Sequence, residues 1–155
     1  MNDLVVKVKK TINAPIEQVF DAWLDADTLS KFMMPMDGMP EPRVEAEGRE
    51  GGRFTVYMMV GDKELPHSGQ YLEVDKPHKL VFTWESHCSS DDSTVTILFS
   101  ALNETQTEVD FTHIKFIDDE TRSNHENGWT TILNKLNQLC SPSTQSAPNK
   151  QQATA

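Results

Sequence analysis

Cysteine is scarce in this sequence, with only Cys88 and Cys140 among 155 residues. Two cysteines are too few for a disulfide framework, so we expect free thiols in a reducing compartment, with a single bridge as the alternative. Long apolar runs are also missing, and no stretch approaches the roughly 20 apolar residues that a membrane span needs. The first four residues carry no basic segment of a secretory signal. We therefore expect a cytoplasmic protein without a membrane span.

Positive charge is in short supply. The chain has 14 basic and 24 acidic residues, for a net charge of −10. Nucleic-acid binding needs lysine and arginine to displace counterions from phosphates, and docking on an anionic membrane needs them too. The composition argues against both classes of function and leaves two interpretations, simple solubility or an acidic face for a basic partner.

Motifs that hold metals or phosphates are absent as well. Zinc sites use closely spaced Cys/His pairs, but the nearest pair here, His87 and Cys88, is adjacent and would lie on opposite faces of a strand. Gly51 and Gly52 are not followed by the Gly-Lys-Ser/Thr of a phosphate loop. We expect no metal and no cofactor.

Alternation of apolar and polar residues predicts seven strands. The strands are expected at residues 4–12, 43–46, 53–60, 65–74, 79–87, 94–102 and 107–116. Short turns join most of them, so neighbouring strands must be antiparallel.

Helical spacing appears in three places. Two short helices are predicted at 16–24 and 27–32, the second capped by Asp27, and a long helix at 121–139. The long helix measures roughly 28 Å at 1.5 Å per residue and carries one apolar stripe. A sheet with one apolar face must cover it, so this helix is expected to lie on the sheet. Residues 141–155 have no large apolar side chain and are expected to be disordered, which leaves one domain at 1–140.

Five segments in this order resemble a known superfamily. They are residues 12–23 (INAPIEQVFDAW), 51–54 (GGRF), 69–84 (GQYLEVDKPHKLVFTW), 93–97 (STVTI) and 125–129 (HENGW). Together they resemble the START-like (SRPBCC, helix-grip) superfamily and, within it, the C-terminal-domain family of the activator of the 90-kDa heat shock protein ATPase. The resemblance spans residues 3 to 139.

The resemblance implies an α+β helix-grip fold, in which a curved antiparallel sheet of six or seven strands wraps around the C-terminal helix. It also implies an apolar cavity between sheet and helix. Members variously bind lipids, sterols, polyketides or hormones, and a few are cyclases or hydrolases. This chain departs from the pattern at 32–35 (FMMP), where a tryptophan usually precedes the Met/Pro loop, so a shared ligand is not expected.

Histidine supplies the candidate polar groups. His67, His78 and His87 fall at strand edges or turns, where exposure is the ordinary explanation. His113 shares its side of a strand with apolar residues and is expected to be buried, either as a satisfied core residue or as a base. His125 lies on the inward stripe near the start of the long helix, where the helix dipole favours neutral imidazole. It is expected to bond either a ligand or the sheet backbone.

Methionine is concentrated in one loop, with four residues between Met33 and Met39. Three interpretations stay open: a plug for the open end of the core, an apolar lid over a ligand pocket, or a sticky patch for a partner.

These observations favour binding of a small hydrophobic molecule, lipid-like or aromatic, in the cavity, with His113, His125, Tyr57 or Tyr71 orienting its polar end. One alternative is a protein-interaction domain, such as a chaperone accessory or a homodimer. Another is a cyclase- or hydrolase-type enzyme using His125 or His113 as base, although no catalytic residue is assigned. The predicted ligand-binding residues are Trp23, Phe32, Met34, Met36, Phe54, Tyr57, Met58, Tyr71, Trp84, Phe111, His113, His125 and Trp129.

Overall fold

The computed structural model describes residues 5–34, 38–85, 93–115 and 118–140. It confirms an α+β fold with a seven-stranded antiparallel sheet, two short helices after the first strand and a long C-terminal helix. The elements are β1 (Val5–Ile12), α1 (Ile16–Asp21), α2 (Ala26–Phe32), β2 (Arg43–Ala46), β3 (Arg53–Val60), β4 (Lys63–Asp75), β5 (Lys79–Thr83), β6 (Thr94–Asn103), β7 (Gln106–Ile114) and α3 (Asp119–Cys140).

The sheet order is β1-β7-β6-β5-β4-β3-β2. Five of the six pairings join strands that follow one another along the chain. The sixth brings β1 beside β7, with Val6 opposite His113 and Val8 opposite Phe111. The first and the penultimate elements of the chain are therefore neighbours, and the sheet has β1 and β2 as its edges.

Burial alternates along the strands as their side-chain period requires. On β7, Val109, Phe111 and His113 are fully buried while the residues between them are only partly buried. The buried side of the sheet is covered by α3, which packs against β1 and α2. Asn137 of α3 accepts a hydrogen bond at its Oδ1 from the backbone N–H of Asn13, at 2.9 Å, which ties the second half of the helix to the end of β1.

Two boundaries differ from the sequence-based expectation for identifiable reasons. Asp25, and not Asp27, caps α2, because its carboxylate accepts a hydrogen bond from the backbone N–H of Thr28 at 3.0 Å. Strand β7 ends at Ile114, where the next residue, Lys115, adopts a left-handed backbone with φ of 73° that cannot continue a strand. The expectations for Met36, His87, Cys88 and residues 141–155 lie outside the described residues.

Candidate functional site

A partly open pocket of about 160 Å³ lies between the first half of α3 and the sheet. It is the space that the helix leaves uncovered beside β3 and β4. The residues that line it are Met58, His67, Trp84, Asn124, His125, Gly128, Trp129 and Ile132.

The helical wall of the pocket follows from helix periodicity. Asn124, His125, Gly128, Trp129 and Ile132 are separated by steps of one, three, one and three residues, which places them on one face of α3. Gly128 is buried in the middle of this face and has no positive φ. A glycine in a helix interior costs about 1 kcal/mol relative to alanine. Gly128 lines the pocket with backbone atoms alone.

The opposite wall comes from two paired strands and the residue after β5. Met58 is buried on β3, and the neighbouring inward position of β3, Val56, is paired with His67 of β4. The ring of His67 lies against that of Trp84, with 5.5 Å between centroids. The indoles of Trp84 and Trp129 meet edge to face at 4.8 Å and 64°, so the two walls join in an aromatic corner.

His125 contributes a half-buried imidazole to the pocket. Its Nδ1–H donates to the carbonyl oxygen of Thr121 at 2.8 Å, which assigns the proton of the neutral ring to Nδ1 and leaves Nε2 as an acceptor. Burial lowers the pKa of His125 below its usual value, opposed by the Thr121 bond. This direction agrees with the predicted neutral imidazole, and burial is its main cause. The described bond is to its own helix and not to the sheet.

His113 is a fully buried residue behind this wall. Its Nδ1 accepts a hydrogen bond from the Nε1–H of Trp129 at 3.0 Å, and its Nε2 lies 2.5 Å from the hydroxyl oxygen of Ser93. Because an indole only donates, Nδ1 must be unprotonated, and the neutral ring therefore carries its proton on Nε2 and donates it to Ser93. Burial, with a smaller contribution from the charge of His125, lowers the pKa of His113 to about 3.

This arrangement does not suit base catalysis. A general base must offer a lone pair to the hydroxyl it activates. The bond from Trp129 places a proton, not a lone pair, between Nε2 of His113 and Ser93. His113 therefore has the contacts of a satisfied core histidine, and the enzyme alternative gains no support from it.

Only some of the predicted ligand-binding residues meet in the pocket: Met58, Trp84, His125 and Trp129. Three others, Trp23, Phe54 and Tyr71, border a separate void of about 10 Å³. A void of this size is at or below the roughly 10–15 Å³ that one water molecule needs, so this part of the core is closed. The Tyr71 hydroxyl donates to the carbonyl oxygen of Trp23 at 2.8 Å and serves the core.

Three further candidates lie elsewhere. Phe32 and Phe111 are fully buried core residues, the first packed edge to face on Trp23 at 5.1 Å. Tyr57 points to the other face of β3 from Met58, where its hydroxyl donates to Glu45 and Arg43 covers its ring at 3.7 Å. These positions do not reach the pocket.

The described methionines of the Met loop pack into the core. Met33 is 1% exposed and Met34 8% exposed, and Met39 is partly buried against the core. Their positions agree with the plug interpretation. None of the three lines the pocket beside His125.

Sequence reasoning missed four lining residues: His67, Asn124, Gly128 and Ile132. His67 was assigned to an exposed edge, although it is four residues from Tyr71 and therefore on the same face of β4. The helical residues share a face with His125. Their helical spacing from His125 is the signal that identifies them, once the pocket is placed at the first half of α3.

The two indole N–H groups of the aromatic corner differ. The Nε1–H of Trp129 is bonded to His113, whereas the buried Nε1–H of Trp84 has no acceptor among the described residues. A buried donor without a partner costs roughly 1–3 kcal/mol.

Within the described residues, no group of three or more His, Cys, Asp or Glu side chains could hold a metal ion. In the same part of the chain, no helix combines the length and the apolar character needed to cross a membrane.

Several solved structures share this fold. A protein from Chromobacterium violaceum has 22% identity and a TM-score of 0.76, covering 89% of this chain and 97% of its own. An HSP90 activator from Plasmodium falciparum has 24% identity and a TM-score of 0.69, covering 85% and 92%. A protein from Staphylococcus epidermidis has 20% identity and a TM-score of 0.73, covering 92% and 93%. At these identities the likeness shows the fold alone.

A comparison with curated proteins found no match. The profile of the family described as "Activator of Hsp90 ATPase homolog 1-like protein" matches residues 13–141, which include every element from α1 to α3 and leave out β1. This chain therefore belongs to the family of Activator of Hsp90 ATPase homolog 1-like proteins.

Proposed function

We propose that the protein binds a small hydrophobic molecule in the pocket between α3 and the sheet. The observation that carries the proposal is the hollow of about 160 Å³, open to solvent on one side and walled mainly by Met58, Trp84, Trp129 and Ile132. Well-packed cores contain few voids larger than a water molecule. We interpret a hollow of this size beside a packed core as the ligand site.

The pocket's size sets a modest affinity. One aromatic ring that buries roughly 150 Å² gains about 4 kcal/mol at about 25 cal/mol per Å². That corresponds to a dissociation constant of about 1 mM, which further polar contacts would improve. A ligand search must therefore include fragments at millimolar concentration.

The test is thermal denaturation with a panel of small apolar and aromatic molecules. A molecule that binds only the folded protein raises its melting temperature. Replacing Gly128 by leucine adds a large side chain at a residue that lines the pocket and should abolish the shift. The matched control is Thr130→Leu, which adds a leucine to an exposed position of the same helix and should keep the shift.

If Gly128→Leu does not fold, Gly128→Ala provides the smaller obstruction. The proposal fails if no molecule shifts the wild-type protein, or if the shifts persist in both Gly128 variants. Loss of the shift in Thr130→Leu as well would locate binding elsewhere and would also count against the pocket.

A chaperone-accessory role is the second candidate. It is favoured by the family match over residues 13–141 and by the fold shared with an HSP90 activator from Plasmodium falciparum. The test is the ATPase rate of a 90-kDa heat shock protein from the same organism with and without this chain. An unchanged rate at saturating chain concentration would eliminate this candidate.

A further inference from the structure

We infer that the ligand of this pocket is a neutral molecule with a single aromatic ring, whose polar substituent lies at the Asn124 end. The inference rests on the proposed function, since it specifies the ligand of the same site. Four properties of the pocket lead to it: its volume, the absence of charged side chains among the described lining residues, its aromatic rings, and the change in polarity along α3.

Space limits the ligand to about one ring. The pocket holds about 160 Å³. An apolar cavity of about 150 Å³ engineered in another protein accepts benzene, whereas pockets for drug-sized molecules measure roughly 300–1,000 Å³. A sterol or a long acyl chain would leave most of its apolar surface in water here.

The lack of charged side chains in the pocket lining argues against a charged ligand. Among the residues that the structure describes, the eight that line the pocket include no Asp, Glu, Lys or Arg, and burial favours the neutral imidazole of His125. A buried charge without a paired countercharge is costly. The chain's net charge of −10 adds a general repulsion toward anions. The ligand should therefore be uncharged, and a carboxylate should bind worse than its amide.

Shape favours an aromatic ring over an aliphatic one. The indoles of Trp84 and Trp129 meet edge to face at 4.8 Å, and His67 lies 5.5 Å from Trp84. Each aromatic pair in such geometry gains beyond its buried area, which corresponds to roughly two- to tenfold in affinity. A saturated ring of similar size buries comparable area and forgoes this gain.

Polarity changes along the helical wall. Asn124 is exposed, His125 is half-buried, and Trp129 and Ile132 are buried. Asn124 and Ile132 are eight residues apart, or about 12 Å along the helix axis at 1.5 Å per residue. A ligand that satisfies both ends inserts its ring toward Ile132 and directs its polar group toward the amide of Asn124.

The experiment compares four probes of similar size, with toluene as a fifth that has no polar group, by amide chemical-shift titration of the full chain at pH 7. Phenol against cyclohexanol tests the aromatic ring, and benzamide against benzoate tests neutrality. We expect phenol to bind at least twofold more tightly than cyclohexanol, and benzamide at least tenfold more tightly than benzoate. Asn124→Ala should weaken phenol and benzamide and leave toluene unchanged.

The outcomes separate this inference from the proposed function. Suppose that cyclohexanol binds as tightly as phenol, or benzoate as tightly as benzamide, and that Gly128→Leu abolishes the binding of both. The pocket then binds ligands, but the inferred ligand class is wrong. An Asn124→Ala variant with unchanged affinity for all probes would overturn the assignment of the polar end. If no probe binds, or Gly128→Leu and Gly128→Ala leave binding intact, the proposed function fails and the inference with it.

Discussion

Gly128→Ala should stabilise the protein and weaken its ligand at the same time. Gly128 is a buried helical residue without positive φ, so an alanine can adopt its backbone conformation. Replacing a glycine inside a helix by alanine gains about 1 kcal/mol in the free energy of unfolding. In a chain of this length that raises the melting temperature by roughly 3 °C. Urea denaturation and thermal scans measure both values.

We expect the added methyl group to occupy part of the pocket as well, because Gly128 lines it. A ligand that loses the contact area of one methylene gives up about 0.8 kcal/mol, a roughly fourfold increase in dissociation constant. The control is Asn127→Ala, an exposed neighbour on the same helix, which should gain a few tenths of a kcal/mol from helix propensity and keep its affinity for phenol. The reasoning is refuted if Gly128→Ala lowers the stability or binds phenol as the wild type does.

Three further predictions concern the core around the pocket. Trp129→Phe leaves Nδ1 of His113 without its donor, whereas Trp84→Phe removes a donor that has no described acceptor. Urea denaturation should therefore find the Trp129→Phe variant less stable than the Trp84→Phe variant by about 1–3 kcal/mol. Equal stabilities of the two variants would contradict the assigned hydrogen bond. Burial lowers the pKa of His113 to about 3 from 6.5, so the unfolded chain takes up a proton below pH 6.5 that the folded protein does not. The free energy of unfolding should therefore fall by up to about 1.4 kcal/mol per pH unit as the pH is lowered from 6.5 toward 3, and the fall is best measured between pH 6 and 5. His113→Gln should reduce this slope. An unchanged slope in that variant would refute the assignment of the effect to His113. Tyr71→Phe removes the hydrogen bond to the Trp23 carbonyl oxygen and should lower the free energy of unfolding by about 1 kcal/mol, measured by thermal or urea denaturation. The affinity for phenol should not change. A change in that affinity would contradict the assignment of Tyr71 to the core and extend the site to it.

Strand and helix positions could be predicted because they depend on local periodicity. The parity of Phe111 and His113 on one strand predicted their burial, and the spacing from Trp129 to Leu136 predicted the inward face of α3. The boundaries shifted where a single side chain or backbone angle decides them, as with the Asp25 cap and the left-handed Lys115.

The position of the pocket could not be predicted in the same way. Trp23 and Trp84 are both buried aromatic residues, yet one borders a void of about 10 Å³ and the other a pocket of about 160 Å³. The difference arises from how segments far apart in sequence pack together, and a methyl group more or less decides whether space remains. His67 could be assigned to a face of β4 from its spacing, but its contact with Trp84, seventeen residues later, depends on how the strands pack.

The most direct test of the central claim is the response of the three tryptophan indole N–H signals to phenol in a ¹H–¹⁵N NMR spectrum, assigned by single Trp→Phe variants. The signals of Trp84 and Trp129 should move in a saturable way, because both rings line the pocket, while that of Trp23 should stay in place because it faces closed core. Signals of Trp84 and Trp129 that remain unmoved at saturating phenol, or a shift confined to Trp23, would contradict the claim that ligand enters between α3 and the sheet.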